Sequence, residues 1–544
     1  MDFSKLVKFA PLIVILLVFA YIGNNYYFSG TSDQEYPRTY LAGDTYWDQL
    51  RIDHVQMEGS YNQQAKVLLG FHPFPFTTAD GPILYYTTNW LVNLLNVESH
   101  VAIHILHLFA LFLEVSLIFI ILLRINRLWA WLSLPVMIIA LQFPFIAGIN
   151  WGLWKSYYSY FIFFFLLYFY PFEFDRKVIA GYIIAFGALL LTQPFMAPYA
   201  LILLIFSIFS KGGKVFDNVK KIAIIGVATT LMFIEYAFRY FATNLKPDGG
   251  GNVAQLFGIA EYSLFGANSS YTHFGFWFWI SLVGFVIGFF YLVQNLDKIK
   301  EYKFQALTVL LFVFVLYNLN FIVQRFMQFR FTWPIFIGVF IGFLFYNIIR
   351  LLPKNIPRDV VGIAGFIILL LIVFQPGDFP ETTHSIISPD LFKSQMYIKD
   401  NTPEDTTVLL VDPNVDQVKS TLINWRHIRF VDRVDFLTLP NLGYDLSNVT
   451  TKRACQIPPY LKQGFSLKEN VWTDNLCLDK KVELCQNDYI ILHMAFRDQG
   501  QADIMKTLVE KLSTDEFETV FSTKTTAVIK NKNKCGTWIP EYKV

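Results

Sequence analysis

Eleven apolar stretches lie between Pro11 and Phe374, and the lysines and arginines between them gather on every second connection. The stretches run Pro11–Tyr27, Val101–Leu123, Leu128–Ala147, Tyr157–Phe172, Val178–Thr192, Phe195–Phe209, Ile222–Ala242, Phe274–Val293, Phe304–Ile322, Phe331–Ile349 and Val360–Phe374. Apolar runs of this kind suit bilayer helices, because a helix satisfies its own backbone polar groups where no water can. The basic connections carry Lys5 and Lys8; Arg124 and Arg127; Arg176 and Lys177; Lys211, Lys214, Lys220 and Lys221; Lys298, Lys300 and Lys303; and Arg350, Lys354 and Arg358. Positive charge beside span ends marks the cytoplasmic side, so these six segments, the N-terminal one included, are expected inside. An odd number of spans then sends the C-terminal tail outside. With 54% hydrophobic and 16% charged residues, the chain is excluded from the soluble enzymes. The 56 phenylalanines suit lipid-facing surfaces and interfacial belts. A net charge of +2 gives no reason to expect nucleic acid, since the basic residues are used for topology.

Gly23–Asn24–Asn25 offers no small-residue cleavage site after the first stretch, which therefore reads as a retained signal anchor. All four cysteines, Cys455, Cys477, Cys485 and Cys535, fall in the tail. An even number confined to an exported segment reads as two disulfides with three pairings open, and the irregular spacing argues against zinc. Two glycosylation sequons, at Asn268 and Asn448, also fall in segments expected outside, whereas Asn401–Thr402–Pro403 has no hydroxyl residue at its third position.

The fold class expected is an α-helical polytopic membrane protein with a small α/β domain outside the cytoplasm. The membrane domain spans residues 1–376 and includes a long outer loop, 28–100; the tail domain spans 377–544. A second outer loop, Thr243 to Thr272, contains Gly249–Gly250–Gly251. In the tail, Thr407–Val411, Ile428–Val431 and Tyr489–His493 look like short buried strands. Ala502–Leu512 carries Ile504, Leu508 and Leu512 at helical spacing, and Phe517–Phe521 and Thr526–Lys530 could pair as a hairpin.

The first outer loop holds the densest chemistry: Gly43–Asp44–Thr–Tyr46–Trp–Asp48–Gln–Leu–Arg51–Ile–Asp53–His54, then Gly70–Phe–His72–Pro73–Phe–Pro75, then Asp80–Gly–Pro82–Ile–Leu–Tyr85–Tyr86. Asp44 and Asp48 are four apart and would share a helix face, with Arg51 one turn on. Such a pair can hold a divalent cation (Mg or Mn), or one carboxylate can act as general base toward a hydroxyl. Spacing alone favours the plainer reading, acids that cap a re-entrant helix. Asp53–His54 and His72 read as structural.

This arrangement resembles the GT-C superfamily of integral-membrane glycosyltransferases, in the prokaryotic form with an exported C-terminal domain. The likeness rests on the short cytoplasmic start, the single span, the long outer loop opening with an acid, and the stretch Gly70–Phe–His–Pro–Phe–Pro75 to Asp80–Gly–Pro82–Ile–Leu–Tyr85–Tyr86. It implies a catalytic module in about the first seven spans and a polyprenyl-phosphate-linked sugar donor entering from the bilayer. It also implies transfer of a hexose or pentose to an acceptor glycan, lipid or protein outside the cytoplasm. By the same resemblance Asp44, with Asp48 next, takes the place of the catalytic base. The family's tighter paired-acid forms are absent, so no metal requirement follows.

Basic residues that break the charge rule complete the set. Arg325 and Arg330 lie among aromatics in the turn between the ninth and tenth stretches, and Lys155 lies in Asn150–Trp–Gly–Leu–Trp154–Lys155. Guanidinium groups suit a lipid phosphate, and these three are the candidate donor-phosphate ligands; snorkelling to headgroups accounts equally well for each arginine alone. Glu235 and Arg239, four apart in one stretch, read as a mutual pair. Glu114 has no local partner, although His107, His104 and His100 precede it. That stripe sustains a rival reading as a transporter or flippase, and a third is a non-catalytic assembly component whose tail docks a partner. The stripe is more often polar packing between helices.

Overall fold

The computed structural model describes residues 3–22, 43–60, 68–69, 72–73, 81–137, 152, 154–170, 174–193, 197–210, 215–244, 270–295, 333–353, 355–373, 388–411, 421–431, 484–493 and 499–537. Helices dominate: α1 (Phe3–Ile22), α2 (Gly43–Glu58), α3 (Ile83–Leu95), α4 (Ser99–Ile125), α5 (127–137), α6 (Trp154–Phe169), α7 (Arg176–Leu190), α8 (Ala197–Ser210), α9 (Val215–Asn244), α10 (Ser270–Gln294), α11 (Trp333–Arg350) and α12 (Arg358–Val373). Ten of the eleven apolar stretches fall on these helices, while Phe304–Ile322 lies outside the described residues. One helix, α4, is long and apolar enough by itself to cross a bilayer, with shorter apolar runs at Ala10–Tyr21, Trp279–Gln294 and Ile335–Arg350.

The bundle core is built from apolar side chains of α1 and α4–α12. Outside it, large apolar side chains stand in the open, among them Val227 on α9, Phe276 on α10 (74% exposed) and Leu371 on α12 (72% exposed). Exposure of that size around a bundle belongs to a surface that meets lipid or another apolar phase. Glycine allows the closest helix approach. A Cβ on Gly342 of α11 would collide with Ser133 Oγ and stand 2.6 Å from the Ser133 Cα in α5. Gly81 similarly lies against the Leu191 carbonyl at the end of α7, and its neighbour Ile83 donates its amide to that oxygen at 3.4 Å.

Charge sorting along the sequence becomes charge sorting along the bundle. Arg124 ends α4, stacks on Tyr168 at 4.2 Å and donates to its hydroxyl at 2.7 Å near the end of α6. Arg127 lies over Trp131, and Arg350 lies over Tyr346, whose hydroxyl accepts from Asn126. Asp175 caps α7 at this same end, accepting from the Val178 amide at 2.7 Å. The start of α4, roughly 40 Å away along a helix of this length, is where α2, α3 and the tail gather.

The tail holds α13 (Pro389–Asn401), β3 (Thr407–Val411), β4 (His427–Val431), β5 (Tyr489–His493), α14 (Gln499–Leu512), β6 (Phe517–Ser522) and β7 (Thr526–Asn531). The strands expected from the sequence form here, and the terminal pair is the expected antiparallel hairpin. The sheet is nevertheless larger than the tail alone could make. Two short strands from the first loop, β1 (Leu68–Leu69) and β2 (His72–Pro73), join its edge, giving the order β2-β1-β4-β3-β5-β7-β6. β1 runs parallel to β4 with Leu69 opposite Ile428.

Side chains alternate across the sheet, as strand geometry requires. Leu409, Val411, Ile490, Leu492, Ala527 and Ile529 pack on Leu508 and Leu512 of α14, the expected face of that helix. Val408, Leu410, Ile428, Ile491 and Val528 share the other core with α13 and with Tyr46, Leu50, Val55, Leu84, Tyr85, Ile103 and Trp154 of the bundle side. The first loop and the tail are thus one packed unit. Cys485 and Cys535 form a disulfide that ties the turn before β5 to the end of β7, one of the pairings left open by the sequence; Cys455 and Cys477 lie outside the described residues.

Candidate functional site

The site assembles where α2 is pinned between α3, α4, α6 and the tail. α2 is barely amphipathic because it is buried on nearly all sides: Thr45, Tyr46, Asp48, Gln49, Leu50, Arg51, Ile52, His54 and Val55 are all inaccessible. A polar helix can occupy such a place only if its charges find partners.

Asp48 finds three on a single oxygen. Tyr85 of α3 donates its hydroxyl to Asp48 Oδ1 at 2.8 Å. Arg51 Nη1 lies 3.3 Å from the same oxygen, and Lys155 Nζ of α6 lies 3.2 Å from it. Arg51 also donates to the Tyr85 hydroxyl at 2.9 Å, closing a ring of contacts. Asp48, Arg51 and Tyr85 are buried, and Lys155, with 19% of its side chain exposed, is the member nearest the surface. Charged and hydroxyl donors in this number hold a carboxylate in its ionised form.

Asp53 lies one turn further on α2 and faces the other neighbours. It accepts a hydrogen bond from Ser99 at the start of α4, with Lys399 of α13 and Glu98 nearby. Burial raises its pKa to about 6, against the opposing pull of Ser99 and Lys399. Its neighbour His54 stacks on Trp425 of the tail, with ring centroids 6.3 Å apart and planes within 21°.

Of the residues expected to act, the structure brings Asp48 and Lys155 together. Asp44 lies in the first turn of α2, four positions before Asp48, and its side chain is outside the description. Arg325, Arg330, Asn268 and Asn448 lie outside the described residues, as do the side chains of Glu235, Arg239 and His72. Lys155 belongs to an ion pair. Glu114 is buried in α4, and its Oε1 has no hydrogen-bond partner among the described residues. His104 and His107 on the same helix face Trp154 and Tyr157 of α6. Tyr85 and Arg51 had no assigned role. Arg51 could have been found from its spacing to Asp48; Tyr85, 37 residues away from Asp48, could not. No group of three or more metal-ligating side chains occurs among the described residues.

No protein-family model and no curated protein sequence matches the chain. Solved structures do. The archaeal oligosaccharyltransferase AglB from Archaeoglobus fulgidus, in complex with an inhibitory peptide and a dolichol-phosphate, aligns with a TM-score of 0.52 at 10% identity, over 91% of this chain and 70% of that one. The same enzyme in the apo form aligns at 0.54 and 10% identity, over 89% and 69%. ArnT from Cupriavidus metallidurans bound to undecaprenyl phosphate aligns at 0.48 and 10% identity, over 94% and 97%. The chain shares the fold of that oligosaccharyltransferase. At this identity the likeness is one of fold, and the activity has to be argued from the site.

Proposed function

We propose that this protein is a membrane glycosyltransferase that moves a sugar from a polyprenyl-phosphate-linked donor to an acceptor hydroxyl outside the cytoplasm. The observation that carries the reading is the buried Asp48 carboxylate holding Tyr85, Arg51 and Lys155 at the tail end of a GT-C bundle. Two cations gathered on one carboxylate form a cradle for a phosphodiester and for the phosphate monoester left after transfer. Arg325 and Arg330, by their sequence position, would extend that cradle.

Asp48 then acts as the organiser of the cations. Its Oδ1 already meets three donors, so it is a poor proton acceptor and a poor ligand for a divalent ion. Asp44, on the same helix face one turn earlier, is the better base. In the step proposed, the acceptor oxygen attacks the anomeric carbon and the bond from that carbon to the phosphate oxygen breaks. The polyprenyl phosphate leaves with the electron pair, the hydroxyl proton passes to Asp44, and the anomeric centre inverts.

Binding of dolichyl phosphate and undecaprenyl phosphate to the full chain in nanodiscs tests the cradle. Lys155→Ala and Arg51→Ala should each weaken binding roughly tenfold, the effect of about 1.4 kcal/mol. Unchanged affinity in both variants would sink the reading, and full transfer activity in both Asp44→Ala and Asp48→Ala would remove the roles given to those acids. A transport reading rests on the unpartnered Oε1 of Glu114; Glu114-dependent flux in proteoliposomes, indifferent to Asp44, would favour it.

A further inference from the structure

Trp425 is a bulky residue held where bulky residues rarely go. Its φ of 51° lies in the left-handed region that a large side chain disfavours. Such a conformation persists only where the surroundings over-determine it, and it points to a constraint worth keeping. Here the constraint comes from both flanks. Asn424 accepts from the Arg426 amide at 3.0 Å and donates its side-chain amide to Gln395 of α13 at 2.5 Å. The Arg426 guanidinium donates to the carbonyls of Asn424 and Trp425 at 3.1 Å each, to Thr402 Oγ1 at 2.9 Å and to the Lys399 carbonyl at 2.7 Å. The turn is thereby fastened to the C-terminus of α13, and the indole it presents is 2% exposed and stacked on His54 of α2.

His54 is six residues beyond Asp48, about 9 Å along the same helix, and ten beyond Asp44. A helix behaves as a rigid rod over that distance, so a contact that fixes the rotation and rise of its second half fixes the first half as well. Two other links join the same bodies. β1 of the first loop pairs with β4, the strand that begins two residues after Trp425, and one apolar core includes both Trp425 and the α2 residues Tyr46, Leu50, Ile52 and Val55.

We propose that Trp425 is a positioning residue of the transfer site: acting through His54, it sets the placement of α2 and hence of Asp44 and Asp48. The tail is then a structural part of the site and not a separately hinged module. The proposal takes the phosphate cradle of the preceding section as the site being positioned.

Hydrogen–deuterium exchange on the full chain in nanodiscs reads α2 directly. Trp425→Gly suits the left-handed turn and deletes only the ring. It should speed exchange of the α2 amides by roughly tenfold or more, while β3, β4 and β5 keep their protection. His54→Ala should do the same, the double variant should be no faster than the faster single one, and Trp425→Phe should stay within about twofold of the parent. Dolichyl phosphate affinity should fall in parallel in the Gly variant. Unchanged α2 exchange in a folded Trp425→Gly protein overturns the proposal. If that variant loses protection in the tail strands, unchanged α2 exchange in His54→Ala overturns it instead. Lys155→Ala and Arg51→Ala separate the two ideas: dolichyl phosphate binding that survives both overturns the cradle, whereas the α2 exchange still decides the role of Trp425.

Discussion

Asp48 shows how a buried charge is made tolerable and why it resists change. A carboxylate with 2% exposure loses its hydration, and here Tyr85, Arg51 and Lys155 replace it. Truncating one member of such a group leaves the others desolvated, which costs about 3–5 kcal/mol. Asp48→Asn keeps the shape and an acceptor for Tyr85 but removes the charge between two cations. We expect a loss of stability on the order of 3 kcal/mol, read as a lower melting temperature in nanodiscs, together with loss of sugar transfer. The converse control is Asp48→Glu, which keeps the charge and should lose less stability; equal losses in both variants would show that packing, not charge, holds the site. Asp48 and Arg51 were legible in the sequence because a helix fixes the relation of residues three apart. Tyr85 and Lys155 gave no such signal, since their partner is set by how α3 and α6 pack on α2.

At the level of elements, regular periodicity was readable and borrowed structure was not. β3 and β5 announce themselves as short β-branched or leucine-rich runs, and α14 shows its buried face at four-residue spacing. β1 has two residues and becomes a strand only because β4 offers it an edge, so nothing local marks it. α13 hides its start in Ser388–Pro389, a capping serine that accepts from the Leu391 amide at 3.1 Å with proline in the first turn. The disulfide belongs to this scale as well. Cys485 and Cys535 are separated by 50 residues, and closing a loop of that size removes unfolded-state entropy worth about 4 kcal/mol. Cys485→Ser should therefore lower the melting temperature of the tail and spare dolichyl phosphate binding, because neither cysteine touches α2. Peptide mapping without reduction should recover the link from Cys485 to Cys535 and place Cys455 and Cys477 in a second one; a link between either of these and Cys485 would contradict the fold.

Across the whole molecule, two desolvated groups beside α13, on the same side of the sheet, act on stability with opposite signs. The first is Asp53, whose pKa is raised to about 6 by burial. Between the ordinary carboxylate value near 3.8 and about 6, the folded chain binds more protons here than the unfolded chain, so stability falls as pH rises through that window and is flat above it. The second is His493 at the end of β5, whose Nε2 is 3.2 Å from Ser388 Oγ and whose pKa burial lowers to about 4, with Asp390 opposing. Between about 4 and 6.5 the unfolded chain binds the extra proton, so stability rises with pH there. Each shift corresponds to a contribution on the order of 3 kcal/mol, and over the shared window they offset one another. The parent protein should show a shallow dependence of melting temperature on pH between about 4 and 6. Asp53→Asn removes the falling component, so the variant should be stabilised at pH 7 and should lose stability steeply on acidification. His493→Gln removes the rising component and should reverse that slope, making the protein more stable at pH 4.5 than at pH 7. Melting curves of the two variants with parallel slopes would exclude both assignments, since the opposition depends on a buried acid and a buried base shifted toward each other across one interval.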